Sequence, residues 1–295
     1  MTILIDNCQL KIVNSYVPYA IGYMLFQIGG FELKIGVLIK QVPATDKVRI
    51  DEKTGTMVRS EMEAELNPLD MYAVEEAVRI KERLKDVHIT AITMGPPSAS
   101  DAIKDAISIG CDDGYLLTDR RFAGADTWAT AYTLSMAIKR IGGFDLVLCG
   151  ERATDGETGQ VGPSVGAQMG IPVLTYVSEI VELTDKYVRV KRAVEGGHEI
   201  VEVDLPALIS VVKEINDPRI PNLSGKLKAK SAEVKSFDAV SIEADQSKIG
   251  LGGSPTRVVK VFYPKLTRSG EIVRSKDPQS AAKALLEFLK SKEII

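Results

Sequence analysis

Residues 155–163, Asp-Gly-Glu-Thr-Gly-Gln-Val-Gly-Pro, have the composition of a turn that holds an anion. They follow an apolar run at 144–150, Phe-Asp-Leu-Val-Leu-Cys-Gly, and open into an amphipathic stretch at 161–169. A strand, a small-residue turn and a helix start leave free backbone N–H groups and the positive end of a helix dipole facing whatever lies there. Gly156, Gly159 and Gly162 let the backbone approach a phosphate with no Cβ in the way. Thr158 adds a hydroxyl that can cap the helix or bind a ligand oxygen. No Gly-Lys-Ser/Thr follows, so this is not a Walker loop. It comes after the fourth strand of the pattern, so it is not the first-strand dinucleotide fingerprint. A purely structural turn can carry the same glycines. No nucleophile–base pair or paired-carboxylate site stands out, as expected where a bound cofactor does the chemistry.

The elements that must position this loop alternate. An Ile/Val-rich run at 34–40 reads as a strand buried on both faces. Residues 42–60 are a polar excursion. A helix follows over 68–84, with an apolar stripe of Leu69, Ala73, Ala77, Ile80 and Leu84, Asn67 as N-cap, Pro68 in the first turn and Glu75–Arg79 as a surface pair. Then come a strand at 88–93, a helix at 98–109 stopped by Gly110, a strand at 114–117, a helix at 126–141 and the strand at 144–149. Strand–helix alternation predicts an α/β fold with a parallel sheet and helices on both faces. Ligands in such sheets bind beyond the carboxyl ends of the strands. Gln41 and Val42, Asn67, Met94 and Gly95, and the segment from Cys149 and Gly150 to Val161 all fall at that edge.

After Pro172 the pattern changes. Residues 174–181, 187–192 and 199–203 alternate like antiparallel strands, and 207–212 resembles another buried strand. Residues 216–230 read as a loop, and 231–255 are polar without clear period. A last amphipathic helix runs from Asp277 to about residue 290, with Ala281, Ala284, Leu285 and Phe288 on one face.

A net charge of −3 lacks the basic excess of a nucleic-acid binder. Three scattered cysteines predict a reducing, cytoplasmic setting without a disulfide framework. Two histidines, His88 and His198, do not make a zinc set with them, so no metal is expected. The apolar stretch at 16–30 is too short for a membrane span and is broken by Pro18 and glycines. Residues 1–33 fit poorly with the rest of the chain. The expectation is a native start at Leu33, read from a TTG or CTG codon, with Gly29-Gly30 translating a ribosome-binding sequence. The alternative is a true N-terminal extension that packs on a partner.

Several motifs in order resemble the electron-transfer flavoprotein beta subunit: Ile39-Lys40-Gln41-Val42-Pro43, Asn67-Pro68-Leu69-Asp70, the 155–163 loop, Arg192-Ala193-Val194-Glu195-Gly196-Gly197, Leu205-Pro206-Ala207-Leu208 and Gly252-Gly253-Ser254-Pro255-Thr256-Arg257-Val258. The resemblance runs from about residue 34 to the end. It implies an adenine nucleotide alpha hydrolase-like, Rossmann-like nucleotide-binding domain over 34–230. A C-terminal arm over 231–295 would dock on an alpha subunit in a heterodimer. It implies that Asp155, Gly156, Thr158, Gly159, Gln160, Val161 and Gly162 hold an adenine nucleotide, with Asn67, Met94 and Gly95 around the adenosine and Gln41, Val42, Cys149 and Gly150 beside them. Arg152 either reaches a phosphate or is a solvated surface charge. Cys149 is expected under the loop without redox chemistry. Arg192 and the following glycines would contact the flavin crevice, or form a plain hairpin turn with an ion pair. Leu223 would anchor dehydrogenase partners.

The nucleotide in that family is AMP or a second FAD. Simple carriers have an acidic run and Gln-Thr-Gly at the loop, whereas electron-bifurcating members have Asp-Gly-Asp-Thr-Ala-Gln-Val-Gly-Pro. The present loop resembles the second, and a glycine in place of a carboxylate removes repulsion beside a diphosphate. Glu157 and Gly159 depart mildly from it. The implied function is an electron carrier that, assembled with its partners, acts as an NADH-dependent bifurcating oxidoreductase. Hydride from NADH would go to FAD, with electrons passed to ferredoxin or flavodoxin and, through the alpha subunit, to an acyl-CoA dehydrogenase or quinone oxidoreductase. The alternatives are a non-bifurcating carrier with structural AMP and a nucleotide-sensing universal-stress-type module.

Overall fold

The computed structural model describes residues 11–12, 32–44, 50–51, 56–57, 64–259, 274 and 277–295. Apart from 11–12 and 32, the segment before Leu33 lies outside them, as does most of the 42–60 excursion. Leu33–Leu38 (β1), Val87–Met94 (β2), Asp113–Leu117 (β3) and Leu146–Gly150 (β4) form the parallel centre of a large sheet. All five residues of β4 are buried, as expected of an apolar run covered on both faces. Val173–Leu183 (β5), Tyr187–Val194 (β6) and Gly197–Asp204 (β7) form an antiparallel meander, and Ala207–Val211 (β8) returns to the middle beside β4. Lys235–Phe237 (β9) closes the far edge against β3. The order is Lys11–Ile12, β7, β6, β5, β8, β4, β1, β2, β3, β9. From β1 the chain steps outward through β2 and β3, then returns to the other side of β1 as β4. The strand order therefore reverses between β1 and β4, which is where ligands enter doubly wound folds.

Period-two alternation divides the core. Leu146 and Leu148 of β4 join Ala73, Val74, Ala77 and Ile80 of Pro68–Arg83 (α1) and Ile103 and Ile107 of Ser100–Ile109 (α2) in one apolar cluster. Val147 and Cys149 face the other way, onto Leu134, Ala137 and Ile138 of Thr127–Ile141 (α3) and Val165 of Val161–Met169 (α4). The fold is Rossmann-like α/β, with α1 and α2 on one face and α3 and α4 on the other.

Four local expectations need correction. Asn67 stands at the N-cap of α1 as expected, but its side chain makes no cap bond and reaches another loop. Glu75 is not a surface partner of Arg79. It is buried, and its nearest cation is Arg219, with Nε 2.8 Å away against 3.9 Å for Arg79. The expected loop at 216–230 contains a helix, Leu223–Ser231 (α5), capped by Asn222, whose Oδ1 accepts the Gly225 N–H at 2.8 Å. Only Ala229 of α5 is buried, so no apolar period betrays it. The polar stretch after 231 supplies β9 and the buried Ala239, Ile242 and Ile249. It is pinned to α3: Asp126 accepts both the N–H and the hydroxyl of Thr256, at 2.9 and 2.8 Å.

The last helix, Pro278–Ser291 (α6), starts at Asp277, which accepts N–H bonds from Gln279 and Ser280. Leu285, Leu286 and Phe288 on it are exposed.

Candidate functional site at the strand switch point

The crevice lies beyond the carboxyl ends of β1 and β4. There the loop 151–160 leads from β4 into the start of α4. Residues 154–158 of the loop are exposed. Gln160 is the N-cap of α4, and its side chain makes no capping bond, so the first N–H groups of this helix keep their donors outward. Thr158 is thus not the cap. Gln160 Oε1 instead accepts the Thr127 hydroxyl at 3.4 Å, tying α4 to the start of α3. Gly162 lets α4 sit directly on β4: a Cβ there would be 2.6 Å from Cys149 Sγ. At Gly156 a Cβ would meet nothing within 4 Å, so the loop crest is open space.

Asn67 holds the loop from below. Its Nδ2 donates to the Arg152 carbonyl at 3.0 Å and its Oδ1 accepts the Thr154 N–H at 3.2 Å. Lys40, just past β1, puts Nζ 2.6 and 2.7 Å from the two Asp155 oxygens. Arg152 lies 2.7 Å from Glu151, so its guanidinium stays with a neighbouring carboxylate. Two of the three carboxylates in the loop, Glu151 and Asp155, are therefore paired with cations; Glu157, at φ 52°, is exposed. That pairing lowers the electrostatic cost of bringing an anion to the mouth.

The remaining expected residues fall at three places. Gln41 is tied to Ser98, its Nε2 donating to the Ser98 carbonyl at 2.9 Å, and Val42 is buried, so only its backbone can face a ligand. Met94 ends β2, and the Gly95 N–H donates to the Leu117 carbonyl at 3.0 Å. Cys149 is buried beneath α4, where burial and then the charge of Asp70 push its thiol well above the usual range. A thiol held neutral is a poor nucleophile.

Arg192 stands apart. Register runs from Gly150 to Val211, to Val177, to Arg192, three strand steps or about 14 Å across the sheet. Its Nε donates to the Thr175 carbonyl at 3.0 Å and its Nη1 lies 3.1 Å from Glu199. With Tyr176, Ala193, Val194 and Glu195 it lines a separate, open depression. Leu223 is 74% exposed, as is the nearby Ile220 at 88%, so it is not packed into the body of the fold.

Two residues of the crevice escape a reading of types and spacing. One is Lys40. The other is Asp70, in the first turn of α1 and buried although ionisable. The available signal was a carboxylate at position 70 in line with the apolar stripe at 73, 74 and 77. Among the described residues no group of His, Cys, Asp and Glu is placed to hold a metal. No helix there is long and apolar enough to cross a membrane.

A Rossmann-like sheet with a loop and an uncapped helix start over its switch point defines the class: an α/β protein built around a crevice suited to an anionic ligand. Comparison with known proteins narrows it. The family described as electron transfer flavoprotein domain matches residues 54–242. The electron transfer flavoprotein subunit beta of Thermoanaerobacterium thermosaccharolyticum is 45% identical over 264 residues, covering 89% of this chain and 100% of the relative. The caffeyl-CoA reductase-Etf complex subunit CarD of Acetobacterium woodii is 41% identical over 263 residues, with the same coverage of each chain. Protein FixA of Azotobacter vinelandii is 40% identical over 262 residues, covering 86% of this chain and 93% of the relative. The chain belongs to the electron transfer flavoprotein family, among its beta subunits.

Proposed function

We propose that the crevice between β1 and β4 binds the adenosine diphosphate part of FAD, and that the chain works with an alpha subunit to take electrons from NADH. The electrons then divide between ferredoxin or flavodoxin and a high-potential acceptor of the acyl-CoA dehydrogenase or quinone oxidoreductase kind. The observation that carries this reading is the open start of α4 beneath a loop crest at Gly156 that bears no side chain. A diphosphate is favoured by outward N–H donors and by the pairing of the neighbouring Asp155 carboxylate with Lys40. The name of the Acetobacterium relative, a subunit of a caffeyl-CoA reductase complex, supports a role beside an acyl-CoA-type enzyme.

The bound flavin supplies the hydride and electron chemistry. The chain supplies placement. Val161 and Gly162 offer backbone N–H groups to phosphate oxygens, and Thr158 offers a hydroxyl. Asn67 keeps the loop at a fixed height by its two bonds to residues 152 and 154. Lys40 balances Asp155 at the mouth. Arg192 and Tyr176 would face the alpha-subunit flavin across the heterodimer from their separate depression. Exposed Leu223 and Ile220 would meet the dehydrogenase.

The test is reduction of ferredoxin by NADH with the assembled heterodimer. The reading expects reduction only when a high-potential acceptor is also present. No ferredoxin reduction under any acceptor would contradict it.

A further inference from the structure

Asp70 bridges the switch point itself. One carboxylate oxygen accepts the Lys40 N–H at 2.8 Å, at the exit of β1. The other accepts the Gly150 N–H at 3.2 Å, at the exit of β4. The Asn67 carbonyl accepts the Asp70 N–H at 2.9 Å, and the Asn67 side chain is the one that holds the loop 152–154. The packing leaves no slack: a Cβ at position 150 would be 2.6 Å from Asp70 Oδ1 and 2.7 Å from the Leu69 carbonyl.

We propose that Asp70 is a positioning residue for the nucleotide: as a carboxylate it draws the ends of β1 and β4 and the loop above them into the binding geometry, and as a neutral acid it holds one of the two strand ends more loosely. This rests on the reading of the crevice as a nucleotide site. The physical reason is valence. Two backbone N–H donors converge on separate oxygens, and an ionised carboxylate accepts on both. A protonated carboxyl keeps its carbonyl oxygen as a good acceptor, but its hydroxyl oxygen accepts far more weakly, so one of the two backbone N–H bonds is weakened. The bond from either Lys40 or Gly150 then weakens inside the fold. Lys40 carries the cation that pairs with Asp155, and Gly150 leads into the loop, so both consequences reach the ligand.

The change falls in an accessible pH range. Burial pushes Asp70 up to about 7, opposed by its hydrogen bonds from Asn67, Lys40 and Gly150 and by the Lys40 charge. The charged group acting on it is Lys40, and the Asp70 charge in turn helps to raise the buried Cys149 thiol.

The experiment is titration of AMP and of FAD onto the nucleotide-free heterodimer at pH 6, 7 and 8, for the native chain and for Asp70→Asn. An asparagine keeps the shape but accepts on one atom only. Native affinity is expected to fall about tenfold from pH 8 to pH 6, the scale of one buried hydrogen bond. Asp70→Asn is expected to bind at the weak, low-pH level throughout. A variant that keeps native affinity and the native pH profile overturns the proposal. Amide hydrogen exchange of the nucleotide-free native chain provides a second readout, one that does not depend on the variant folding. Protection at Lys40 and Gly150, corrected for the intrinsic rate, should drop at one of the two as pH falls through 7; constant protection at both overturns the proposal. If neither nucleotide binds the native heterodimer while exchange behaves as expected, the reading of the crevice fails and the role of Asp70 at the strand ends stands.

Discussion

Lys40 Nζ lies 2.6 Å from Asp155 Oδ1, so the exit of the first parallel strand is ion-paired to the loop that follows the fourth, across 115 residues of chain. An exposed pair of this kind adds little to stability, about 0–1 kcal/mol. Its effect should fall on the ligand. Lys40→Met leaves the Asp155 carboxylate uncompensated at the mouth and is expected to weaken FAD or AMP binding by about tenfold with little change in unfolding free energy. Lys40→Met with Asp155→Asn should recover most of that loss. Calorimetric titration of the two variants measures both.

Asn67 is placed like a cap and used as a brace. Asn67→Ala removes two hydrogen bonds to the 152–154 backbone from a fully buried site. The expected cost is about 1–3 kcal/mol in urea denaturation, together with weaker nucleotide binding. Asn67→Asp, which improves a true cap, should not rescue: an acid there loses the donor to the Arg152 carbonyl. A stabilised Asn67→Asp would return Asn67 to the role of a plain N-cap.

Gly162 and Cys149 are coupled by contact. Gly162→Ala places a methyl 2.6 Å from Cys149 Sγ and should destabilise by about 1–3 kcal/mol through overpacking. Adding Cys149→Ala vacates the space and should restore much of the loss. A double-mutant cycle on thermal unfolding reads the coupling directly. Cys149→Ala alone should leave electron transfer intact, because the thiol is buried and held neutral.

Stability should depend on pH through Asp70. Its acid form is favoured in the fold up to about pH 7, against an ordinary value of 3.8. Between those values the folded chain holds a proton that the unfolded chain has lost. This contribution is therefore fully present below about pH 4 and is lost as pH rises through 7, with a magnitude on the order of a few kcal/mol. Burial also raises Glu76, which adds a slope of the same sign. Asp70→Asn should flatten the Asp70 share in denaturation curves between about pH 4.5 and 7.5. The form that best supports the fold is thus the acid, whereas the form proposed to shape the crevice is the carboxylate.

Leu223 and Ile220 are 74% and 88% exposed, so Leu223→Ala should shift unfolding by no more than about 0.5 kcal/mol. If this surface receives a dehydrogenase, the same change slows electron exchange with it and leaves reduction by NADH unchanged. Stopped-flow flavin absorbance separates the two steps.

What could be read in the chain depends on the range of the interactions. The apolar run of β4, the glycines of the loop and the start of α4 are local patterns, and they land where spacing predicts: α4 spans Val161–Met169. The stripe on α1 was legible for the same reason. The side-chain partners of Asn67 and Glu75, at 152–154 and 219, lie 85 to 144 residues away and leave no local signal. The helix α5 has one buried residue and no period to detect. Asp70 and Lys40 act through backbone N–H groups and an ion pair that only the strand order brings together. Family resemblance pointed at Arg192, but only the sheet register shows that it lies three strands from the loop.

Whether this crevice holds FAD is tested most directly by the cofactor content of the chain purified with its alpha subunit, by acid release and chromatography of FAD and AMP. Two FAD and no AMP per heterodimer are the expected result. One FAD with one AMP would contradict the assignment and make the chain a simple carrier whose Gly156 loop surrounds a structural nucleotide.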